Sequence, residues 1–319
     1  MNSYHNRAVL VTGGAGFIGS HLVEELIRRN ARVTVVDDLS TGFVSNLASV
    51  ADQIDFRKLD LGRDDPRSLL AEGEFDTIFH LAGHANVPES VQEPRRDLEK
   101  NLLGAFNLIE AVRHLTPQTK VLFASSAAVY GESSGKPFQE DDPVVPLAPY
   151  GVSKLAAERY MNVYTRSYDL RTASLRLFPV YGPRSKAHVI YDLMCKISDN
   201  PEELFVHGDG TQVRDFTYVT DAVEAFLTIA EESPLRGEVY NVAAGEPISI
   251  GELAKMICVK MSAAPRFAYS GTVSPGVSHA WSADVSRLQN LGYRSRMNLI
   301  DGLNKTVAWF REEMKSKLC

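Results

Sequence analysis

The sequence predicts an α/β fold, in which a doubly wound parallel sheet is followed by a smaller α/β lobe. Short apolar segments alternate with longer helical patterns through the first half of the chain. The short segments have the length of buried strands, and the long ones carry apolar side chains on one face. Such alternation builds a parallel sheet covered by helices on both faces. After about Tyr181 turn-rich segments replace it, which predicts the second lobe.

The predicted elements follow one another closely. The strands are Ala8–Thr12, Arg32–Asp37, Ile54–Leu59, Thr77–Leu81, Lys120–Ala124 and Thr172–Leu177. The helices are Ile18–Arg29, Leu98–Arg113, Tyr150–Tyr168 and, in the second half, Asp221–Glu231, Ile250–Met261 and Asp301–Lys315. We place a domain boundary between residues 1–178 and residues 179–319, and we expect the chain to cross it more than once.

Composition excludes several classes of protein. The formal net charge of −6 argues against nucleic-acid and acidic-membrane partners, because protein surfaces that bind them are usually basic. No apolar run approaches the roughly 20 residues that cross a bilayer, and Met1–Arg7 lacks the features of a secretion signal. Cys195, Cys258 and Cys319 are far apart and fit neither a disulfide framework nor a zinc site. We therefore expect a cytoplasmic protein without a metal site.

A glycine-rich turn joins the first strand to the first helix. Gly13, Gly16 and Gly19 have the spacing G-x-x-G-x-x-G, in place of the commoner G-x-G-x-x-G. One glycine permits the tight turn, one lets the backbone approach a pyrophosphate, and one lets helix and strand pack closely. The pyrophosphate then faces the positive end of the helix. With the strand before it and the helix after it, the turn predicts a dinucleotide site.

An acidic residue at the end of the second strand predicts which dinucleotide binds. Asp37 can accept hydrogen bonds from ribose hydroxyls and would repel a 2′-phosphate, which favours NAD over NADP. Asp38 is either a second contact or a solvated loop residue. Asp60 follows the third strand and either reaches the adenine edge or caps a turn.

A tyrosine and a lysine four residues apart predict the reacting end of the site. Tyr150 and Lys154 lie on one face of a helix, and Ser126 lies upstream at the end of a strand-like segment. A free phenol has a pKa of about 10, but a nearby ammonium and a positive nicotinamide both favour the phenolate. We expect the pKa of Tyr150 to fall toward neutrality, where a general base is most effective. Ser126 can donate to the same substrate oxygen.

Together these segments resemble the extended short-chain dehydrogenase/reductases, within the NAD-dependent nucleotide-sugar epimerase/dehydratase group and its UDP-glucose 4-epimerase-like members. The resemblance covers nearly the whole chain and is more specific for the superfamily than for the substrate. The segments that carry it are Val11–His21, Asp37–Ser40, His80–Gly83, Asn101, Ser125–Ser126, Tyr150-x-x-x-Lys154, Val180–Arg184 and Gly208–Phe216.

The resemblance implies a fold, a cofactor and a set of site residues. Residues 1–178 would form an NAD-binding Rossmann-type domain, residues 179–319 would mainly bind a nucleotide-diphosphate sugar, and two chains would form a homodimer through the helices Leu98–Arg113 and Tyr150–Tyr168. The implied catalytic residues are Ser126, Tyr150 and Lys154. The implied NAD contacts are Gly13, Gly16, Phe17, Ile18, Gly19, Asp37, Asp38, Leu39, Ser40, Asp60, Leu61, Leu81, Ala82, Gly83, Asn101, Ser125, Tyr150, Lys154 and Phe178. The implied substrate contacts are His84, Ser126, Tyr150, Pro179, Val189 and Arg214.

Two alanines select among the chemistries of the group. In every reaction of the group the tyrosine takes a hydroxyl proton while NAD takes a hydride, and a ketosugar forms. The 4,6-dehydratases also carry an Asp-Glu pair directly after the catalytic hydroxyl, where this chain has Ala127 and Ala128, which cannot transfer a proton. We therefore expect a 4-epimerase that works through a transient 4-keto intermediate. A dehydratase or net oxidoreductase with an atypical substrate, and a non-catalytic NAD-binding scaffold, stay open as alternatives.

Two departures from the group concern the substrate diphosphate. Many relatives carry an asparagine where this chain has Pro179, which offers neither a side-chain nor a backbone donor. The late Arg-x-Gly-Asp pattern corresponds to Ser274–Val277, which lacks both the arginine and the aspartate. Arg214 matches an arginine that grips the diphosphate, although an ion pair with Asp215 or Asp221 is the structural alternative. Further candidates for the diphosphate are Arg184, Lys186, His188 and Arg266.

Overall fold

A computed structural model describes residues 4–271 and 278–316 of the chain. Its strands are β1 (Ala8–Thr12), β2 (Arg32–Asp37), β3 (Ile54–Lys58), β4 (Thr77–His80), β5 (Lys120–Ser126), β6 (Arg171–Leu177), β7 (Val180–Tyr181), β8 (Glu203–Val206), β9 (Val213–Asp215), β10 (Thr217–Tyr218), β11 (Arg236–Val242), β12 (Pro247–Ser249), β13 (Arg266–Tyr269) and β14 (Ala280–Trp281). Its α-helices are α1 (Phe17–Arg28), α2 (Arg67–Glu72), α3 (Val87–Gln92), α4 (Pro94–Leu98), α5 (Gly104–Leu115), α6 (Pro149–Tyr168), α7 (His188–Asp199), α8 (Val219–Glu232), α9 (Ile250–Met261), α10 (Ser286–Gln289) and α11 (Leu299–Ser316). Two 3₁₀ segments cover Val44–Gln53 and Ala127–Val129, and a π-helical turn covers Glu99–Leu103.

The central sheet has seven parallel strands in the order β3-β2-β1-β4-β5-β6-β11. The chain first builds outward from β1 through β2 to β3 and then continues from the other edge of β1 with β4. The order therefore reverses between β1 and β4. In open parallel sheets, ligands bind beyond the carboxyl ends of the strands at such a reversal, so the topology places a cofactor cleft there.

Helices cover both faces of the sheet because its strands are apolar on both faces. Val9 and Val11 join an apolar cluster that includes residues of α1 and α8. Leu10, which points the other way, joins a second cluster with residues of α2, α5 and α6. All five residues of β1 are buried, as expected for the strand of a parallel sheet with two covered faces.

The second lobe has its own apolar cluster, formed largely by α7, α9 and α11. Small sheets surround it: β7 pairs with β10, β8 with β13, and β9 lies between β12 and β14. Phe17 and Ile18, at the start of α1, also pack against this cluster. The lobe therefore lies beside the glycine-rich turn, where a substrate can meet a bound cofactor.

The predicted fold class is confirmed, and one predicted helix is irregular. The segment Leu98–Arg113 begins at the end of α4, passes through the π-helical turn and continues as α5. A π turn contains one extra residue and often lies at a functional site. Here it contains Asn101, whose side chain bonds to the backbone of His84. Apolar periodicity predicts a helix but carries no information about such a turn.

A strand missed by the sequence analysis completes the sheet. Residues 236–242 belong to the half of the chain that was assigned to the second lobe, yet as β11 they pair with β6. The short run Val239–Val242 is apolar enough for a strand, but the flanking turns obscured it. The chain thus returns to the central sheet after residue 179. The domain boundary itself stays a prediction.

Candidate active site

The glycine-rich turn lies at the reversal of strand order, and two of its glycines are required by close packing. Gly13 has a left-handed φ of +70°, and an added Cβ would lie 2.7 Å from the Ala82 nitrogen. At Gly19 an added Cβ would collide with the Gly13 oxygen. The turn is therefore packed against both the loop after β4 and the first turn of α1.

Gly16 leaves the amino end of α1 open to a ligand. An added Cβ there would meet the Gly13 oxygen at 3.1 Å, and Gly16 caps the helix without a side-chain hydrogen bond. The first turn contains no acidic residue. The positive end of this helix is thus suited to a pyrophosphate. The residues fit a dinucleotide, which Phe17 and Ile18 would meet through their backbone N–H groups.

Asp37 is held at the end of β2 by backbone donors. Its carboxylate accepts from the Ala15 nitrogen at 2.9 Å and from the Leu39 nitrogen at 2.8 Å. Burial raises the pKa of Asp37, and these two bonds oppose that rise. Each oxygen keeps a second lone pair, which a ribose hydroxyl can use.

A lysine joins the other two acidic residues that the sequence assigns to the cofactor. Lys100 Nζ lies 2.6 Å from Asp38 Oδ2 and 2.7 Å from Asp60 Oδ2. Burial opposes the ionisation of Asp38, but hydrogen bonds from Lys100 and Ser40 hold its pKa below the ordinary value. Asp38 is therefore not a freely solvated loop residue. Sequence reasoning missed Lys100, because no local pattern connects it with either aspartate.

The three predicted catalytic residues meet at the carboxyl end of β5. Ser126 ends that strand, and Tyr150 and Lys154 lie in the first turns of α6. Tyr150 and Lys154 are 7% and 5% exposed. The Ser126 side chain lies close enough to the Tyr150 hydroxyl to lower its pKa, and Lys154 Nζ donates to the Ala124 oxygen at 3.0 Å.

Burial dominates the ionisation of Tyr150 and Lys154. It raises the pKa of Tyr150 to about 12, although the Ser126 side chain lowers it. It lowers the pKa of Lys154 to about 8, although Asp97 raises it. In the protein alone, the pKa of Tyr150 thus rises, whereas the sequence predicted a fall. The prediction was wrong because burial, which cannot be read from the charges of neighbouring residues, disfavours the phenolate. The positive charge of a bound nicotinamide would oppose this rise and favour the phenolate.

Asn101 fixes the loop that runs beside Lys154. Its Oδ1 accepts from the His84 nitrogen at 3.0 Å, and its Nδ2 donates to the His84 oxygen at 3.1 Å. An added Cβ at Gly83 would lie 2.6 Å from Asn101 Oδ1 and 3.1 Å from Lys154 Nζ. The predicted cofactor loop Leu81–Gly83 thus reaches the catalytic lysine. His84 Nε2 lies 2.7 Å from Glu89 Oε2. A substrate that bonds to this ring nitrogen would therefore compete with Glu89.

Three other predicted contacts are already engaged within the protein. Ser125 donates its hydroxyl to Glu158 at 3.0 Å, which leaves its backbone for a cofactor. Phe178 is 1% exposed and packs near the Tyr130 ring. The Pro179 oxygen accepts from the Thr217 nitrogen. The roles of all three residues stay predictions.

A cavity of about 360 Å³ lies in the second lobe. Its lining includes His188, Val189, Lys196, Gln212 and Arg214, of which Val189 and Arg214 were predicted as substrate contacts. Both polar atoms of the Gln212 amide are buried and lack a hydrogen-bond partner among the described residues. Buried polar groups are normally paired, so a polar ligand would satisfy this amide.

Arg214 does not form the ion pair that was its structural alternative. Its guanidinium donates to the backbone oxygens of Val213, Ser278 and His279 and lies 4.7 Å from the centre of the Trp281 ring. Asp215 and Asp221 instead accept from other groups, mainly backbone nitrogens. Burial lowers the pKa of Arg214 to about 10, and an anion beside it would offset that desolvation.

The other cations proposed for the diphosphate are largely engaged with carboxylates. Arg184 pairs with Glu24, Lys186 with Glu313 and Arg266 with Glu203. Among these candidates, His188 is the residue that lines the same cavity as Arg214. The segment Ser274–Val277, where the late arginine is missing, lies outside the described residues.

A larger cavity of about 990 Å³ lies at the opposite end of the sheet. Its lining includes Thr77 and Lys120, which begin β4 and β5. Parallel sheets bind ligands at the carboxyl ends of their strands, so we do not assign the active site to this cavity. Within residues 4–271 and 278–316, no cluster of three potential metal ligands is found, and no helix could cross a membrane.

A glycine-rich turn at the strand reversal and a Ser–Tyr–Lys group whose tyrosine and lysine are buried define a dinucleotide-dependent protein of the short-chain dehydrogenase type. Residues 9–243 match the model of the NAD dependent epimerase/dehydratase family. The chain belongs to this family.

Similar proteins include epimerases that match the chain nearly end to end. The UDP-glucose 4-epimerase of Mycolicibacterium smegmatis is 34% identical over 309 residues, covering 95% of this chain and 98% of the relative. The Thermotoga maritima UDP-glucose 4-epimerase, whose crystal structure contains UDP-glucose, is 32% identical in sequence and has a TM-score of 0.89. The match covers 96% of this chain and 99% of that one. The Thermus thermophilus UDP-glucose 4-epimerase, solved with NAD, is 36% identical with a TM-score of 0.85, covering 95% and 99%.

Proposed function

We propose that the protein is an NAD-dependent 4-epimerase of a nucleotide-diphosphate sugar, with UDP-sugars as the first candidates. The observation that carries the proposal is the convergence of Ser126, Tyr150 and Lys154 at the end of β5. Ala127 and Ala128 follow directly in a buried 3₁₀ turn, so this turn supplies no acid or base for dehydration. Epimerisation needs no further acid–base pair.

Each residue of the proposed site has a separate role in the reaction. NAD, when bound, supplies the group that accepts and returns the hydride. Tyr150 Oη takes the proton of the C4 hydroxyl and later gives it back, while Ser126 Oγ donates to the same oxygen. Lys154 favours the phenolate and holds the nicotinamide ribose. Arg214 and the Gln212 amide bind the nucleotide end, so that the sugar can turn between the two hydride transfers.

A panel of UDP-, GDP-, CDP- and dTDP-sugars, with products identified by NMR, tests this function. The expected result is interconversion of a UDP-sugar with its C4 epimer and no net loss of water. NAD released on denaturing the purified protein would support an internal redox cycle. Net NADH formation would favour an oxidoreductase, and NAD binding without turnover of any sugar would favour a scaffold.

We expect Arg214→Lys to raise the KM for the nucleotide sugar about 10- to 100-fold, with little change in bound NAD. Lysine keeps the charge but loses the planar fork of donors, and a lost charge-assisted hydrogen bond is worth about 1.5–3 kcal/mol. Steady-state kinetics measures the KM. Arg266→Lys is the matched control, because that arginine is exposed and pairs with Glu203. Equal effects of the two substitutions would contradict a substrate role for Arg214.

We expect Asp37→Ala to weaken NAD binding about 10- to 100-fold and to affect sugar binding less, because bonds to the ribose hydroxyls are lost. Calorimetric titration of NAD into the stripped protein measures this affinity. Asp52→Ala, which changes an exposed carboxylate in the 3₁₀ segment after β2, should leave NAD binding unchanged. Unchanged affinity in Asp37→Ala would reject its ribose role.

We further propose that the protein is cytoplasmic, because its cysteine content fits a reducing compartment.

We also propose a homodimer through α5 and α6. Exposed apolar side chains on and beside these helices support it: Leu98 is 42% exposed, Val152 53% and Val163 50%. We expect a dimer in sedimentation at micromolar concentration and a monomer for Val163→Glu. Val259→Glu, at a residue of α9 that is 74% exposed, is the control that should stay dimeric. A monomeric native protein would contradict the proposal.

A further inference from the structure

A buried carboxylate with no role in the proposed mechanism is hydrogen bonded to two residues near the catalytic lysine. Asp97, near the end of α4, is 3% exposed. Its Oδ1 accepts from Asn101 Nδ2 at 2.8 Å, and its Oδ2 accepts from the Ser153 hydroxyl at 2.6 Å. These two side-chain donors hold the Asp97 carboxylate in place inside the protein.

Both partners of Asp97 belong to the catalytic region. Ser153 lies between Tyr150 and Lys154 on α6, and it is 5% exposed. Asn101 is the residue whose amide also fixes the loop at Gly83, beside Lys154 Nζ. Asp97 thus connects α4, the π-helical turn and α6 at the point where these segments surround the lysine.

We propose that Asp97 is a positioning residue whose buried charge keeps Lys154 as an ammonium. The proposal rests on the catalytic role proposed above for Lys154. Unpaired charges are costly to bury, and the oxygen that Lys154 contacts, that of Ala124, is neutral. Asp97 supplies the compensating charge through space, while its hydrogen bonds with Asn101 and Ser153 hold it in place.

The other titratable groups around Lys154 do not supply this charge. His80, on β4, is 1% exposed, and burial followed by the charge of Lys154 lowers its pKa to about 3, so it is neutral. Tyr150, on α6, has its pKa raised by burial and also by Asp97. Burial lowers the pKa of Lys154 itself to about 8, and Asp97 is the group that opposes this fall. Without Asp97 the lysine would lose its proton nearer to neutrality.

An NMR titration of [ε-¹³C]lysine-labelled protein, with the Lys154 signal assigned through Lys154→Met, tests the proposal directly. In Asp97→Asn we expect the titration midpoint of Lys154 to fall by about one pH unit. The midpoint of the alkaline limb of the pH–kcat profile should move to lower pH by the same amount. Asparagine has nearly the same shape and can still bond to Asn101 and Ser153, so this variant removes mainly the charge. Asp97→Ser provides a second neutral replacement, with the same expected shift, if the asparagine variant does not fold.

Ser153→Ala is the matched control, because it removes one hydrogen bond but keeps the carboxylate. Its lysine midpoint should stay close to that of the native protein. An unchanged midpoint in a folded Asp97→Asn or Asp97→Ser protein would overturn the proposal, whatever the substrate proves to be. So would a shift in Ser153→Ala as large as in Asp97→Asn. A protein that epimerises no sugar would overturn the proposed function but leave this measurement valid.

Discussion

Tyr150→Phe is expected to lower kcat by about 10²–10⁴-fold, the usual contribution of a positioned general base. The phenyl ring fills the same space, but no oxygen remains to take the sugar proton. The substitution also removes the hydroxyl that interacts with Ser126. Kinetics with the sugar identified in the substrate panel gives the ratio, and NAD content after denaturation shows whether the cofactor site is intact.

A second tyrosine on the same helix provides the control. Tyr160 is 40% exposed and packs against Phe106, so Tyr160→Phe should leave kcat within a few-fold of native. If Tyr150→Phe kept near-native turnover, another group would have to move the proton. A loss of NAD or of secondary structure in Tyr150→Phe would instead assign the residue a structural role.

The geometry that could be predicted from the sequence is the geometry fixed by local spacing. The interval between Tyr150 and Lys154 places both on one side of α6, and the positions of Gly13 and Gly19 follow from the junction of β1 with α1. In each case one helix or one turn determines the geometry. The parallel sheet follows from strand–helix alternation in the same way, and the structure confirms it.

Long-range partners could not be predicted in this manner. Lys100 reaches Asp38 and Asp60 because the π-helical turn meets the loops after β2 and β3. Asp97 meets Ser153 across 56 positions of the chain. No pattern along the sequence expresses such convergence. The pKa of Tyr150 shows the same limit, since charges can be read from a sequence while burial depends on the complete fold.

A buried ion pair behind the catalytic strand leads to the largest expected effect on stability. Arg176 Nη2 lies 2.7 Å from Glu158 Oε1, and the two side chains are 2% and 1% exposed. Glu158 also accepts from Ser125, next to the catalytic serine. Arg176→Met would leave the Glu158 charge buried without its cation. Breaking a buried pair on one side costs about 3–5 kcal/mol, so the free energy of unfolding should fall by about that amount.

Denaturant unfolding measures this loss, and two comparisons show whether burial is its cause. Arg184, like Arg176, donates two hydrogen bonds to one glutamate, which is Glu24. Those side chains, however, are 23% and 27% exposed. Arg184→Met should therefore cost no more than about 1 kcal/mol. Adding Glu158→Gln to Arg176→Met should restore part of the loss, because the uncompensated charge is removed. If Glu158→Gln restored none of the loss, the uncompensated charge would not be its cause, and lost packing on Tyr130, over whose ring the guanidinium lies at 4.6 Å, would explain it instead.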